Sequence, residues 1–106
     1  MSDSKPLISD AFKAFATATP EHAKAWMELT KSLAEASALD AKTGELAYLA
    51  VLAALGRTSG IPFHADQAVR EGASKEEILS AILVGLPAAG HIVSQSLPAA
   101  LDVLED

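Results

Sequence analysis

The chain contains no cysteine. That excludes disulfides, thiolate metal sites and thiol redox chemistry carried by its own side chains. Aromatic residues are scarce at 5%, and basic residues are outnumbered, with 8 Lys and Arg against 14 Asp and Glu. The net charge is −6, and no basic stripe offers phosphate neutralisation, so a nucleic-acid partner is not expected. The longest apolar stretches, 46–56 and 78–90, fall short of the ~20 residues a membrane span needs, and Met1-Ser2-Asp3-Ser4-Lys5-Pro6 lacks the plan of a signal peptide. A cytoplasmic protein with no membrane partner is the expectation. No His-Glu-x-x-His spacing and no dinucleotide or P-loop glycine pattern occurs, so neither a metal nor a cofactor is indicated.

Half of the 106 residues are hydrophobic, and alanine supplies much of that share. Helices lined with alanine approach closely but bury little area, and burial is worth only ~25 cal/mol per Å². Part of the apolar surface is therefore expected between subunits of a homo-oligomer.

The pattern along the chain predicts an all-α fold, a single-domain helical bundle of about six helices over 1–106, with 1–8 flexible. A short helix over Asp10 to Ala18 carries Phe12, Phe15 and Ala16 on one face. Thr19 as cap and Pro20 as first residue open a second, amphipathic helix to about Ala38, with Trp26 and Met27 read as core. Asp40 caps a third helix that Gly56 ends. Residues 46–55 are apolar on every side except for the Tyr48 hydroxyl, which predicts burial all round, within the domain or against other subunits. A fourth helix runs from Pro62 to Gly72. Ser74 and Glu77 form a capping box for a fifth helix whose apolar face is Ile78, Leu79, Ile82, Leu83 and Leu86. Pro87 and Gly90 interrupt it, and a sixth helix follows, kinked or restarted at Pro98 and ending near Leu104.

Polar chemistry concentrates where the third helix passes to the fourth. Glu45 lies in the first or second turn of the apolar helix. It is either a solvated first-turn carboxylate favoured by the dipole or a partly buried group that orients a histidine or acts as a base. His64 lies in the first turn of the next helix, either as a surface or capping residue or as a general base. Arg57 either complements a helix C-terminus or grips a substrate carboxylate bidentately. Thr58 and Ser59 either cap the next helix or donate to a ligand. Ser59 is not read as a nucleophile, since no Gly-x-Ser-x-Gly elbow surrounds it. His91, between Gly90 and Ile92, reads as a core or interface histidine, and His22 as solvated.

From Leu39 to Leu86 the chain resembles the carboxymuconolactone decarboxylase-like family, which includes the alkylhydroperoxidase D-type proteins. The resemblance is carried by Leu39-Asp40-x-Lys42-Thr43-x-Glu45-Leu46, then Leu49-Ala50 and Ala53-Ala54-Leu55-Gly56, then His64. Ala68 and Gly72-Ala73-Ser74-x-Glu76-Glu77-Ile78 complete it. It implies an all-helical trimer or hexamer. In the peroxidase-like branch a Cys-x-x-Cys pair falls where this chain has Arg57 and Gly60, with a Glu and a His relay at the positions of Glu45 and His64. The missing cysteines rule out that branch's mechanism here. The decarboxylase branch often reads Leu-Gly-Arg-Thr in the turn, which Leu55-Gly56-Arg57-Thr58 matches, and Ala89-Gly90 and Pro98-Ala99-Ala100-Leu101 also resemble it. Gly44, commonly Arg in the family, and Ser59-Gly60-Ile61-Pro62 depart from that branch.

The resemblance implies a cofactor-independent lyase acting on a small carboxylated lactone or keto acid. In that reading His64 and Glu45 move the proton, and Arg57, Thr58 and Ser59 hold the anionic substrate. A non-catalytic oligomeric binding or scaffold protein is the alternative, and hydroperoxidase activity the least favoured.

Overall fold

The computed structural model describes residues 7–104. Of the start expected to be flexible, residues 1–6 lie outside the described residues. Every element among those described is helical: α1 Asp10–Ala18, α2 Pro20–Ala36, α3 Ala41–Leu55, α4 Ile61–Arg70, α5 Lys75–Leu83, α6 Leu86–Ala89 and α7 Leu97–Leu104. Two 3₁₀ segments, Thr58–Gly60 and Gly90–Ser96, join α3 to α4 and α6 to α7. The expected sixth helix is thus preceded by a 3₁₀ turn around Gly90, where φ is 82°, and α7 starts one residue before Pro98.

Two compact units follow the chain order, residues 1–39 and 40–106. In the first, the Ser9 hydroxyl accepts from Phe12 N at 3.1 Å and opens α1. Thr19 stands at the N-cap of α2 but does not cap it through its side chain. Its hydroxyl instead donates back to Phe15 O at 2.7 Å, within reach because Thr19 is also the C-cap of α1. α2 packs against α1 and buries Ala23. Trp26 and Met27, expected in the core, are 42% and 54% exposed, and Leu29 and Leu33 are exposed with them. The apolar arc of α2 is wider than the side that α1 covers.

The second unit holds the main core: Leu49 and Ala53 of α3, Ile61, Ala65 and Ala68 of α4, Ile78 and Ile82 of α5, Val93, and Ala100 of α7. α3 is central, packing against α4, α5 and the 3₁₀ segment before α7. It is not buried all round in this chain, however. Tyr48, Val51 and Leu55 are exposed, because 15 residues turn through every direction while neighbours cover only part of the circumference. His91 is also exposed rather than in the core, on the open side of the 3₁₀ segment whose Val93 points inward.

Residues 75–104 form a 30-residue helical run apolar enough, by length and composition, to cross a membrane. Joining the shorter stretches into one run is what the sequence reading missed. The run is bent, though: α7 returns to touch both α4 and α5, which the far end of a straight helix of that length would not do.

The caps give the fold an acid sensitivity. The Asp40 carboxylate accepts from Thr43 N at 2.8 Å, and Glu77 accepts from Ser74 N at 2.9 Å and pairs with Lys42 at 3.0 Å. The bond to Thr43 holds the Asp40 carboxyl below its ordinary value. The bonds to Ser74 and Lys42 do the same for Glu77. A carboxyl depressed in the folded state adds stability above its unfolded value and loses it as the pH falls through the folded one. Stability measured by urea unfolding is therefore expected to decline below about pH 4. Asp40→Asn, which keeps a cap but cannot titrate, should flatten part of that decline. An unchanged slope in this variant would show that the Asp40 cap is not its source.

Ser96 is fully buried, and its hydroxyl has no hydrogen-bond partner among the described residues. An unsatisfied buried donor is costly, so Ser96→Ala is expected to raise stability by about 1 kcal/mol. Calorimetry of the two proteins tests this, and a lower melting temperature in the variant would contradict it.

Candidate functional site

Glu45, Tyr48, Leu49 and Leu52 fall at three- and four-residue steps, so they share one side of α3. Leu49 anchors that side in the core, and Leu52 reaches under the turn that follows. The turn is tightly specified. Gly56 has φ 71° and sends its N–H to Ala53 O at 3.1 Å, while Arg57 N bonds Leu52 O at 2.9 Å. This pair of bonds is a Schellman ending, and the left-handed conformation favours glycine. Gly60 serves by smallness: a Cβ there would lie 3.2 Å from Leu52 Cδ1. The chain then reverses into α4, with Pro62 in its first turn, and presents His64 to α3.

The two residues meet. His64 Nδ1 lies 2.8 Å from Glu45 Oε1, a contact between positions 19 apart in sequence. The His64 and Glu45 side chains are 26% and 24% exposed, so the pair sits at the edge of the core with access to solvent. A carboxylate can only accept, so Nδ1 carries the proton of this bond. In the neutral ring that leaves Nε2 as the acceptor, the arrangement of a histidine oriented by an acid for proton transfer.

Two aromatic rings fix the imidazole further. The Tyr48 ring centroid is 4.4 Å from that of His64, tilted by 48°, and Phe63 meets it edge-on at 5.1 Å. Neither was singled out for this role from the sequence. The signal was present, because Tyr48 follows Glu45 by three residues on a helix, and any group held by Glu45 lies within reach of both.

The anion-binding residues expected beside this pair are arranged differently. Arg57 is exposed, with its guanidinium in no ion pair among the described residues. Thr58 is half-buried and Ser59 exposed, both in the 3₁₀ turn. Neither caps a helix, since the segment at Thr58 and α4 both start without a side-chain bond. The three residues thus line the turn with their polar groups unspent. Among the described residues no side-chain hydrogen bond or ion pair joins any of them to Glu45 or His64.

A glutamate and a histidine paired across consecutive helices, around a Gly-Arg-Thr turn, is the pattern whose family the comparisons then decide. The carboxymuconolactone decarboxylase family model matches residues 20–106. The chain belongs to the carboxymuconolactone decarboxylase family. No curated protein and no solved structure matches it. Membership covers α2 to α7 and so includes the whole Glu45–His64 site. Within the carboxymuconolactone decarboxylase family this is a cysteine-free chain, with Arg57 and Gly60 flanking its turn.

Proposed function

We propose that this protein is a cofactor-independent lyase that decarboxylates a small carboxylated lactone or keto acid. The observation that carries the reading is the 2.8 Å bond between His64 Nδ1 and Glu45 Oε1, in a half-buried site beside a turn bearing an exposed arginine.

In the proposed reaction Arg57 attracts and orients the anionic substrate, with Thr58 and Ser59 as further donors. The bond from the substrate's carboxylate carbon to its neighbour breaks, and carbon dioxide leaves. The electron pair of that bond passes into the adjacent carbonyl as an enolate. The enolate carbon takes a proton from Nε2 of the His64 imidazolium, and solvent returns a proton to the ring. Glu45 holds Nδ1 throughout, so the same nitrogen faces the substrate at each turnover. Tyr48 and Phe63 pack against the imidazole and limit its rotation. The test is a turnover screen of small carboxylated lactones and β-keto acids with carbon dioxide release as readout, run beside His64→Ala. Equal release by the two proteins would refute the assignment.

The open position of Arg57 also supports a second reading, that of a binding protein with the same fold. That reading expects the same acids to shift the Arg57 and His64 resonances without being consumed.

A further inference from the structure

Among the described residues of the second unit, most of the exposed large apolar side chains belong to one neighbourhood. Tyr48, Val51 and Leu55 recur at steps of three and four residues and form one strip along α3. Phe63 is exposed as well and meets the imidazole of His64 at one end of the strip. Ile92 is exposed at the other end, with Cδ1 2.9 Å from where a Cβ on Gly56 would lie.

The strip joins two different chemistries. At Tyr48 it starts against the His64 ring, whose Nδ1 is held by Glu45. At Leu55 it stops two residues before Arg57, which is exposed and in no ion pair among the described residues. Gly60 lies by Leu52, and His64 by Glu45 and Tyr48, so α4 runs back along α3 and His64 sits nearer the start of α3 than Arg57 does. Tyr48 and Leu55 are two turns apart, a rise of about 10 Å. An occupant that uses both ends therefore carries an anionic group, an apolar middle and a reacting group in line.

We propose that the substrate of this site is an amphiphilic acid with an unbranched apolar body about 10 Å long. Its anionic group lies at Arg57, its body over Leu55, Val51 and Tyr48, and its reacting carbon at His64. This inference rests on the lyase reading and sharpens it. The group held by Arg57 is then distinct from the carboxylate that leaves, and it stays in the product. A methylene buried on all sides strengthens binding about 4-fold, and one covered on a single side about 2-fold.

Sodium butyrate, hexanoate, octanoate and dodecanoate, below their micellar range, are the probes. They stand in for the Arg57 end and the body of the substrate, so binding to the full chain is read by NMR without turnover. The dissociation constant should fall about 16-fold from butyrate to octanoate, at about 2-fold per methylene, and level off once the tail passes Tyr48. Shifts should gather at Tyr48, Val51, Leu55 and Arg57. Leu55→Gln, at a position 62% exposed, should flatten the dependence on chain length. Arg57→Gln should weaken every acid about 10-fold and keep the slope. The proposal is overturned if chain length makes no difference, as it would if a second copy or another protein surface covered the strip. It is also overturned if the shifts gather at the groove between α3 and α5 lined by Ala47, Ala50 and Ala81, if Leu55→Gln keeps the full slope, or if Arg57→Gln binds the acids as wild type does. A slope without carbon dioxide release from any keto acid would refute the lyase reading and leave the strip a binding site for such acids. Release from short keto acids with no slope would refute this inference alone.

Discussion

Replacing His64 with alanine is expected to lower turnover by about 10²–10⁴-fold, the usual worth of a positioned acid–base group. Helix content should stay intact, because the side chain is only partly buried and the core residues of α4 are Ile61, Ala65 and Ala68. Glu45→Gln tests the partner more finely. The amide oxygen can still accept from Nδ1, so position is retained while the negative charge is lost. Its expected cost is smaller than that of His64→Ala, and the double variant should be no worse than His64→Ala alone, since the two act as a unit. A readout that needs no substrate separates orientation from charge. Nitrogen NMR of the imidazole should report a proton on Nδ1 in the wild type, held by Glu45. In Glu45→Ala, with no acceptor to hold that proton, the ring should redistribute toward Nε2–H. If the wild-type ring already carries its proton on Nε2, the bond at 2.8 Å does not govern the histidine, and the proton-transfer role fails with it.

Where the fold was legible in advance, the signals were local. Asp40 with Thr43, Ser74 with Glu77, and Gly56 at a helix end each place a backbone bond within three or four residues, and all three sit where the spacing predicts. The exposure of Trp26 and Met27 was not legible. Helical periodicity marks an apolar side but does not say what covers it, and α1 covers only the part of α2 around Ala23. The same limit applies to α3, whose apolar circumference exceeds what α4, α5 and the 3₁₀ segment can reach. In the site, Glu45 and His64 are separated by a helix end and a turn, so their meeting is a product of packing. The residues taken alone left both open to bland readings, and it was family resemblance that paired them. Tyr48 is the opposite case: the sequence shows it only as the one hydroxyl on an apolar helix, whereas its ring lies against the imidazole.

Leu49→Ala is expected to destabilise the protein by about 2–5 kcal/mol, the range for removing a fully buried leucine from a core that relaxes only in part. Leu49 is completely buried, one turn after Glu45, on the helix that packs against α4, α5 and the 3₁₀ segment before α7. Much of the surrounding core is alanine, at positions 53, 65, 68 and 100, and alanines have no spare length with which to fill the void. Collapse would require helices to move, so the cost should lie in the upper half of that range. Against a total of about 5–15 kcal/mol for a domain, one such cavity is a large fraction of the stability. Val51→Ala provides the comparison: it sits two residues further along the same helix but is exposed in this chain, and a surface change of this kind is usually within about 0.5 kcal/mol. Urea unfolding of the three proteins at neutral pH measures both differences. The same cavity loosens the seat from which Glu45 reaches α4, so in Leu49→Ala the Nδ1–H signal of His64 should broaden or shift before global unfolding. A Leu49→Ala protein as stable as Val51→Ala would mean that α3 does not hold the centre of this core. The rigid placement of Glu45 against His64 would then need another support.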